Sequence, residues 1–298
     1  MTWAAGIDVG GTRIKAVAAA SNGTVLRRVT HPTADGAATA ADWTRLAREA
    51  LEGFARELGR PADSVGVCAP GLAARDGRSI AHLPGKLAGL AGIDWTTALD
   101  RRETVPVLND AHAALLGEVW AGSARGRNDV VMLTLGTGVG GAVLAGGRLL
   151  RGAIGRAGHI GHLSLDPEGT PSITGMPGAL ETLVGECTLA ARSGGRFTST
   201  ADLVAAHRAG DAHATRVWRE SVRALAFGLG SCINLFDPEL VVIGGGIARA
   251  GEDLFLPLAS ELARIEWRPG GHSVPIVPAD LGEWAGALGA AAQALRPA

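Results

Sequence analysis

Two stretches of the chain repeat one local design. WAAGIDVGGTRIKAVAAA, from Trp3, and VVMLTLGTGVGGAVLAGG, from Val130, each set a glycine turn between two strand-like apolar runs. Alternation continues in TVLRRVT after the turn SNG, so the first stretch reads as a meander of three antiparallel strands. From Asp42 to Leu58 apolar residues recur every three or four positions behind an aspartate able to cap the first turn, which predicts an amphipathic helix. SVGVCAPG then reads as a buried strand and loop. The second stretch keeps the same rhythm, with a further turn at AGG, a long helix from His213 to Phe236 and a buried strand in LVVIGGG. Two β-β-β-α-β halves predict an α/β chain of two lobes, each a mixed sheet with helices, with ligands in the cleft between the lobes. The expected small lobe is 1–116 together with an Ala-rich C-terminal helix over 284–298, and the expected large lobe is 117–283.

Composition narrows the partners. Of 298 residues 47% are hydrophobic, enough for a substantial core in each half. Lys and Arg number 28 against 29 Asp and Glu, with no long run of one sign, so neither nucleic acid nor an anionic membrane is an expected partner. No apolar stretch reaches the roughly 20 residues of a membrane span, and no basic leader precedes an apolar one. A cytoplasmic protein acting on a small molecule is expected. Cys68, Cys187 and Cys232 are scattered and form no CxxC pair, so they are read as small core residues, not as a disulfide or thiolate metal framework.

The turns themselves carry chemistry. In DVGGT, Gly10 and Gly11 allow backbone N–H groups to approach an anion, Thr12 adds a hydroxyl, and Asp8 can hold a hydrated Mg²⁺. An ordinary glycine hairpin explains this motif equally well when it stands alone. LGTGVGG repeats it with Thr137 and Gly138, and two such turns in corresponding places predict a clamp on the phosphates of a nucleotide. Gly244, Gly245 and Gly246 end a later strand in a turn that would let adenosine lie against backbone, or would serve close helix packing. The VIGGGI turn is neither GxGxxG followed by a distant acid nor GxxxxGK[ST]. In VPVLNDAHAALLGE, Asp110 at a strand end is placed to take a proton from a substrate hydroxyl while Asn109 fixes the substrate; capping the following helix is the competing role for Asp110.

Taken in order, DVGGT, NDA, LGTGVGG, GHIGH and IGGG resemble the ROK family of sugar kinases, a branch of the actin/hexokinase ATPases with a ribonuclease H-like fold. The resemblance runs from Asp8 to about Gly246. It implies ATP and Mg²⁺, phosphate contacts from Gly10, Gly11, Thr12, Thr137 and Gly138, adenosine near Gly245, Asp110 as general base on the hydroxymethyl oxygen of a hexose-like acceptor, and a homodimer. ROK repressors carry a helix-turn-helix domain ahead of the first strand, whereas this chain starts at that strand, which favours the kinase branch.

The chain departs from the family in three places. ROK kinases carry a Glu, a His three residues later, and cysteines ten, twelve and seventeen residues after that His. Counted from His162, the three cysteine positions hold Ser172, Thr174 and Ala179, followed by Glu181. Zinc needs four N or S ligands, so no structural zinc is expected, and the loop is expected to rest on apolar contacts of Ile173, Met176 and Leu180 with Pro171 and Pro177. His162 and Glu181 would still contact acceptor hydroxyls. His159 replaces the family's first sugar-binding Glu and His82 its Asn, while Gly71 is retained for close approach of the acceptor. Imidazole offers one donor and one acceptor where a carboxylate accepts twice, which turns the expectation from glucose toward an atypical hexose or a C7-cyclitol of the valiolone type. An ordinary glucokinase or amino-sugar kinase, a polyphosphate-dependent kinase and a non-catalytic sugar sensor are the alternatives.

Overall fold

Strands in a sheet covered on both faces need apolar side chains on both faces, and the near-continuous apolar runs around Ile7 and Val131 meet that need. The structure, a computed structural model, describes residues 2–33 and 38–296. In the first half of the chain come β1 (Trp3–Val9), β2 (Arg13–Ala20), β3 (Val25–Pro32), α1 (Ala40–Leu58), β4 (Ser64–Ala69), the short pair β5 (Leu72–Ala73) and β6 (Ile80–His82), α2 (Trp95–Ala98), β7 (Val107–Asn109) and α3 (Asp110–Ala121). There follow β8 (Val130–Leu135), β9 (Val139–Ala145), β10 (Arg148–Leu149), α4 (Leu180–Val184), α5 (Leu189–Arg192), α6 (Thr200–Arg208), α7 (Ala212–Phe236), β11 (Leu240–Gly244), α8 (Glu252–Ile265), β12 (Ile276–Pro278) and α9 (Ala285–Ala294).

The chain forms two compact units, one of Met1–Gly126, Leu149–Ala157 and Asp280–Ala298, the other of Arg127–Arg148 and Gly158–Ala279. The first holds a sheet ordered β3-β2-β1-β4-β7, with β1 antiparallel to β2 and parallel to β4. The second holds a sheet of matching order, β10-β9-β8-β11-β12, with β8 antiparallel to β9 and parallel to β11. The repeat seen in the sequence is therefore a repeat of topology, and the architecture is α/β with two mixed sheets.

In the first unit α1 lays Trp43, Ala47 and Phe54 on the face of the sheet that carries Ile7 and Val67. The helix starts at Ala40, two residues before Asp42, which was expected to cap it. Asp42 instead accepts the N–H of Thr39 at 2.9 Å and its hydroxyl at 2.8 Å, the third-position half of a capping box. The opposite face takes α9, whose backbone lies directly on the sheet: a Cβ added to Gly6 or Gly66 would collide with the carbonyl oxygens of Ala287 and Ala290. The fully buried Glu118 of α3 accepts N–H bonds from Asp280 at 3.0 Å, Leu281 at 2.9 Å and Ser123 at 2.8 Å, tying the entry of α9 to α3.

The second unit's core joins Val131, Leu133 and Val143 to Trp218, Leu225 and Leu229 of α7 and to Leu254, Leu258 and Leu262 of α8. Asp211 caps α7 by accepting the N–H of Ala214 at 2.8 Å. Of the three cysteines read as core, Cys68 and Cys232 are buried but Cys187 is exposed, in the short 3₁₀ helix Glu186–Thr188, none of whose residues is buried. Among the described residues no helix is long and apolar enough to cross a membrane.

Candidate active site

Asp8 sits at the end of β1, where the sheet opens into the Gly10–Gly11 turn. Its Oδ2 lies 3.3 Å from Nζ of Lys15, which also donates to the carbonyl of Glu283 at 3.0 Å. Burial pushes the Asp8 carboxyl above its ordinary value, the Lys15 ammonium opposes that, and the nearby Asp110 charge adds to it. Burial together with the charges of Asp8 and Asp110 also drives the Cys68 thiol well above the usual range, so Cys68 stays neutral and hydrogen-bonds to Asp8. The turn is closed by the Gly10 N–H to the carbonyl of Arg13 at 3.1 Å and braced by the Thr33 hydroxyl on the carbonyls of Gly10 and Gly11. Among the described residues the N–H groups of Gly11 and Thr12 donate to no protein acceptor. Neither Lys15 nor Thr33 was singled out in the sequence. The +7 spacing of Lys15 after Asp8, which puts both on paired strands, was the available signal.

Asn109 and Asp110 divide their work. The cap of α3 is Asn109, whose Oδ1 accepts the N–H groups of Ala111 at 2.9 Å and His112 at 3.2 Å, while its Nδ2 donates to the carbonyl of Gly71 at 3.0 Å. The capping role that competed for Asp110 is thus filled by its neighbour. Asp110, half-buried as the first residue of the helix, accepts the Ala111 N–H at 2.9 Å and senses the charge of Asp8. Gly71 has φ +97°, and a Cβ there would come within 2.5 Å of the His82 carbonyl, so only glycine fits between β4 and β6. The His82 side chain is exposed. The first unit therefore gathers Asp8, Gly71, His82, Asn109 and Asp110, together with the unforeseen buried His112, whose Nε2 is 3.0 Å from the carbonyl of Ala157.

In the second unit the β8–β9 turn repeats the arrangement. The Gly136 N–H reaches the carbonyl of Gly138 at 2.9 Å, and among the described residues the N–H groups of Thr137 and Gly138 donate to no protein acceptor. Thr137 is exposed. Gly245, at φ +91°, packs its backbone on Leu135, where a Cβ would strike the carbonyl oxygen; Gly244 is buried, and Gly246 faces open space. Gly246 and Gly136 line a cavity of about 310 Å³ with Glu186, Thr200, Arg208 and Arg249, none of which the sequence motifs had indicated.

His159 and His162 lie on a short 3₁₀ turn with rings near parallel at 12° and centroids 6.4 Å apart. Nδ1 of His162 is buried without a hydrogen-bond partner among the described residues. One imidazole nitrogen does not make a zinc site: Ser172 and Thr174 bond to each other at 2.9 Å and Ala179 offers a methyl group, so the donors do not fit Zn²⁺. The expected apolar hold on this loop is corrected, since Ile173 is 89% and Met176 42% exposed and only Leu180 is buried. The backbone does that work. Leu165 donates to the carbonyl of Gly178 at 2.9 Å, Ser172 to that of Met176 at 2.8 Å, and the Ser164 hydroxyl to that of Pro177 at 2.6 Å.

Two mixed sheets of matching order, each with a glycine turn between antiparallel strands, form the fold of the actin/hexokinase ATPases. The chain belongs to the ROK family, whose model matches residues 4–296. It is 33% identical to the glucokinase of Thermotoga maritima over 96% of this chain and 95% of that one. It is equally 33% identical to the N-acetylmannosamine kinase of Escherichia fergusonii over 96% of both. Among solved structures, the ROK family glucokinase from Streptomyces griseus in complex with glucose and AMPPNP superimposes with a TM-score of 0.77 at 28% identity, covering 98% of this chain and 99% of that one.

Proposed function

We propose that this chain is a sugar kinase that moves the terminal phosphoryl group of ATP to the primary hydroxyl of a sugar-like polyol. The acceptor oxygen bonds to the γ-phosphorus, its bond to the β-phosphate oxygen breaks, the hydroxyl proton passes to Asp110, and ADP leaves. The observation that carries this reading is that Asn109 fills the N-cap of α3, so capping does not account for an acid at Asp110. The unspent N–H groups of Gly11, Thr12, Thr137 and Gly138 suit phosphate oxygens. Asp8, a hard oxygen donor beside Lys15, fits a hydrated Mg²⁺, which when bound would neutralise phosphate charge. The cavity by Gly246 is the proposed seat of adenosine.

The acceptor would be read by Gly71, His82 and the second N–H of Asn109 in one set of residues, and by His159, His162 and Glu181 in the other. Glucose and N-acetylmannosamine are the acceptors named for the relatives; His159 supports an acceptor with a different hydroxyl pattern, and a C7-cyclitol of the valiolone type is our choice. Coupled detection of ADP with glucose, N-acetylmannosamine and valiolone tests it. We expect valiolone to give the highest kcat/KM; rapid turnover of glucose with none of valiolone would discard the cyclitol and leave an ordinary sugar kinase.

A further inference from the structure

We infer that Glu181 is a positioning residue for the nucleotide phosphates as well as a reader of the acceptor, coupling the two through the β8–β9 turn. This rests on the kinase reading above. Its Oε2 accepts the N–H of Val139 at 3.1 Å, at the turn's exit into β9. Gly138 leaves the room this requires, because a Cβ there would collide with the same oxygen. Oε1 accepts no hydrogen bond among the described residues, which leaves it for an acceptor hydroxyl.

Two further bonds fasten the turn to the same segment. The Glu186 N–H donates to the carbonyl of Gly136 at 3.0 Å and the Cys187 N–H to that of Thr137 at 2.9 Å. That segment is itself held: Arg192 donates to the carbonyl of Gly185 at 2.9 Å and to the Ser221 hydroxyl of α7 at 2.6 Å. Glu186 also accepts the N–H of Thr200 at 2.7 Å, on the wall of the cavity by Gly246. Of these fastenings to the turn, the two backbone bonds hold carbonyls and cannot respond to the acceptor. Glu181 alone uses a side chain that an acceptor could also touch, so acceptor binding that fixes Oε1 also fixes the N–H groups of Thr137 and Gly138 aimed at the phosphates.

Binding of AMPPNP with Mg²⁺ and no acceptor, measured by calorimetry, separates this role from acceptor recognition. Glu181→Ala should weaken AMPPNP about tenfold, the order expected for a lost bond to a charged group. Glu181→Gln, whose amide oxygen still accepts from Val139, should bind AMPPNP within about twofold of wild type while its KM for the acceptor rises at least about tenfold. Equal AMPPNP affinity in wild type and Glu181→Ala would overturn the inference and leave the kinase reading standing. No AMPPNP binding by correctly folded wild type would overturn both. Should Glu181→Ala fail to fold, a tenfold loss of AMPPNP affinity in Glu181→Gln would count against the inference and retention with a raised acceptor KM for it.

Discussion

Asn109 and Asp110 are chemically similar neighbours with opposite duties, and the difference comes from which of them precedes the first helical residue. An N-cap must have extended backbone, which Asn109 has at φ −63°, ψ 148°; Asp110 is already helical. Asn109→Ala should therefore lower stability by about 1–2 kcal/mol through the lost cap, and by more through the unpaired Gly71 carbonyl. Denaturant midpoints check this, and a midpoint equal to wild type would contradict the assignment. From the sequence, NDA identified the pair but left the cap undecided, because both residue types cap helices well. Lys15 and Thr33 escaped notice for another reason: their roles depend on strand pairing, which brings residues 7 and 22 or more positions apart into contact. The loop from Ser164 to Ala179 shows the same limit, since side-chain hydrophobicity suggested apolar anchors while the loop is held by main-chain bonds and the Ser164 hydroxyl.

At the scale of elements, α9 depends on glycines dispersed along the chain. A Cβ on Gly289 would strike the carbonyl oxygen of Ala113 in α3. Replacing glycine by alanine in an exposed helix gains up to about 1 kcal/mol, as it should at Gly53 of α1, where nothing lies within 4 Å. At Gly289 the collision with rigid backbone outweighs that gain, and Gly289→Ala should lose about 2 kcal/mol or more. Thermal melts of the two variants should shift in opposite directions; a gain in both would mean that α9 does not lie on α3. The strand meanders and the long helix α7 were legible because their periodicity is local and strong. That the C-terminal helix joins the first lobe was expected, but the elements it lies on were not legible, because an Ala-rich helix has no apolar stripe to indicate its partner and the glycines that receive it belong to other elements.

For the molecule as a whole, the duplicated strand order was legible in the duplicated turns and the glycine ends of the cavity by Gly246 in LGTGVGG and IGGG, whereas its other walls, Glu186, Arg249 and the α6 residues Thr200 and Arg208, share no motif. Surface carboxylates bonded to the main chain shape the acid response: bonds from backbone N–H groups hold Asp94, Asp211 and Glu239 below their ordinary range, as does Thr39 for Asp42. Such groups favour the folded state above their unfolded values and lose that contribution as pH falls through their folded ones. Asp8 runs the other way, its raised value costing stability as pH rises past 3.8, a cost accepted at a residue proposed to serve phosphoryl transfer. The central claim is that Asp110 takes the acceptor's proton in a chain that needs no zinc. Its most direct test is the rate of acceptor-dependent ADP formation by wild type and Asp110→Asn, both treated with chelator and resupplied with Mg²⁺ alone. The wild type should retain its full rate and the variant should fall roughly 10²- to 10⁴-fold with its fold intact; equal rates in the two proteins, or a wild type that recovers only with Zn²⁺, would contradict the account.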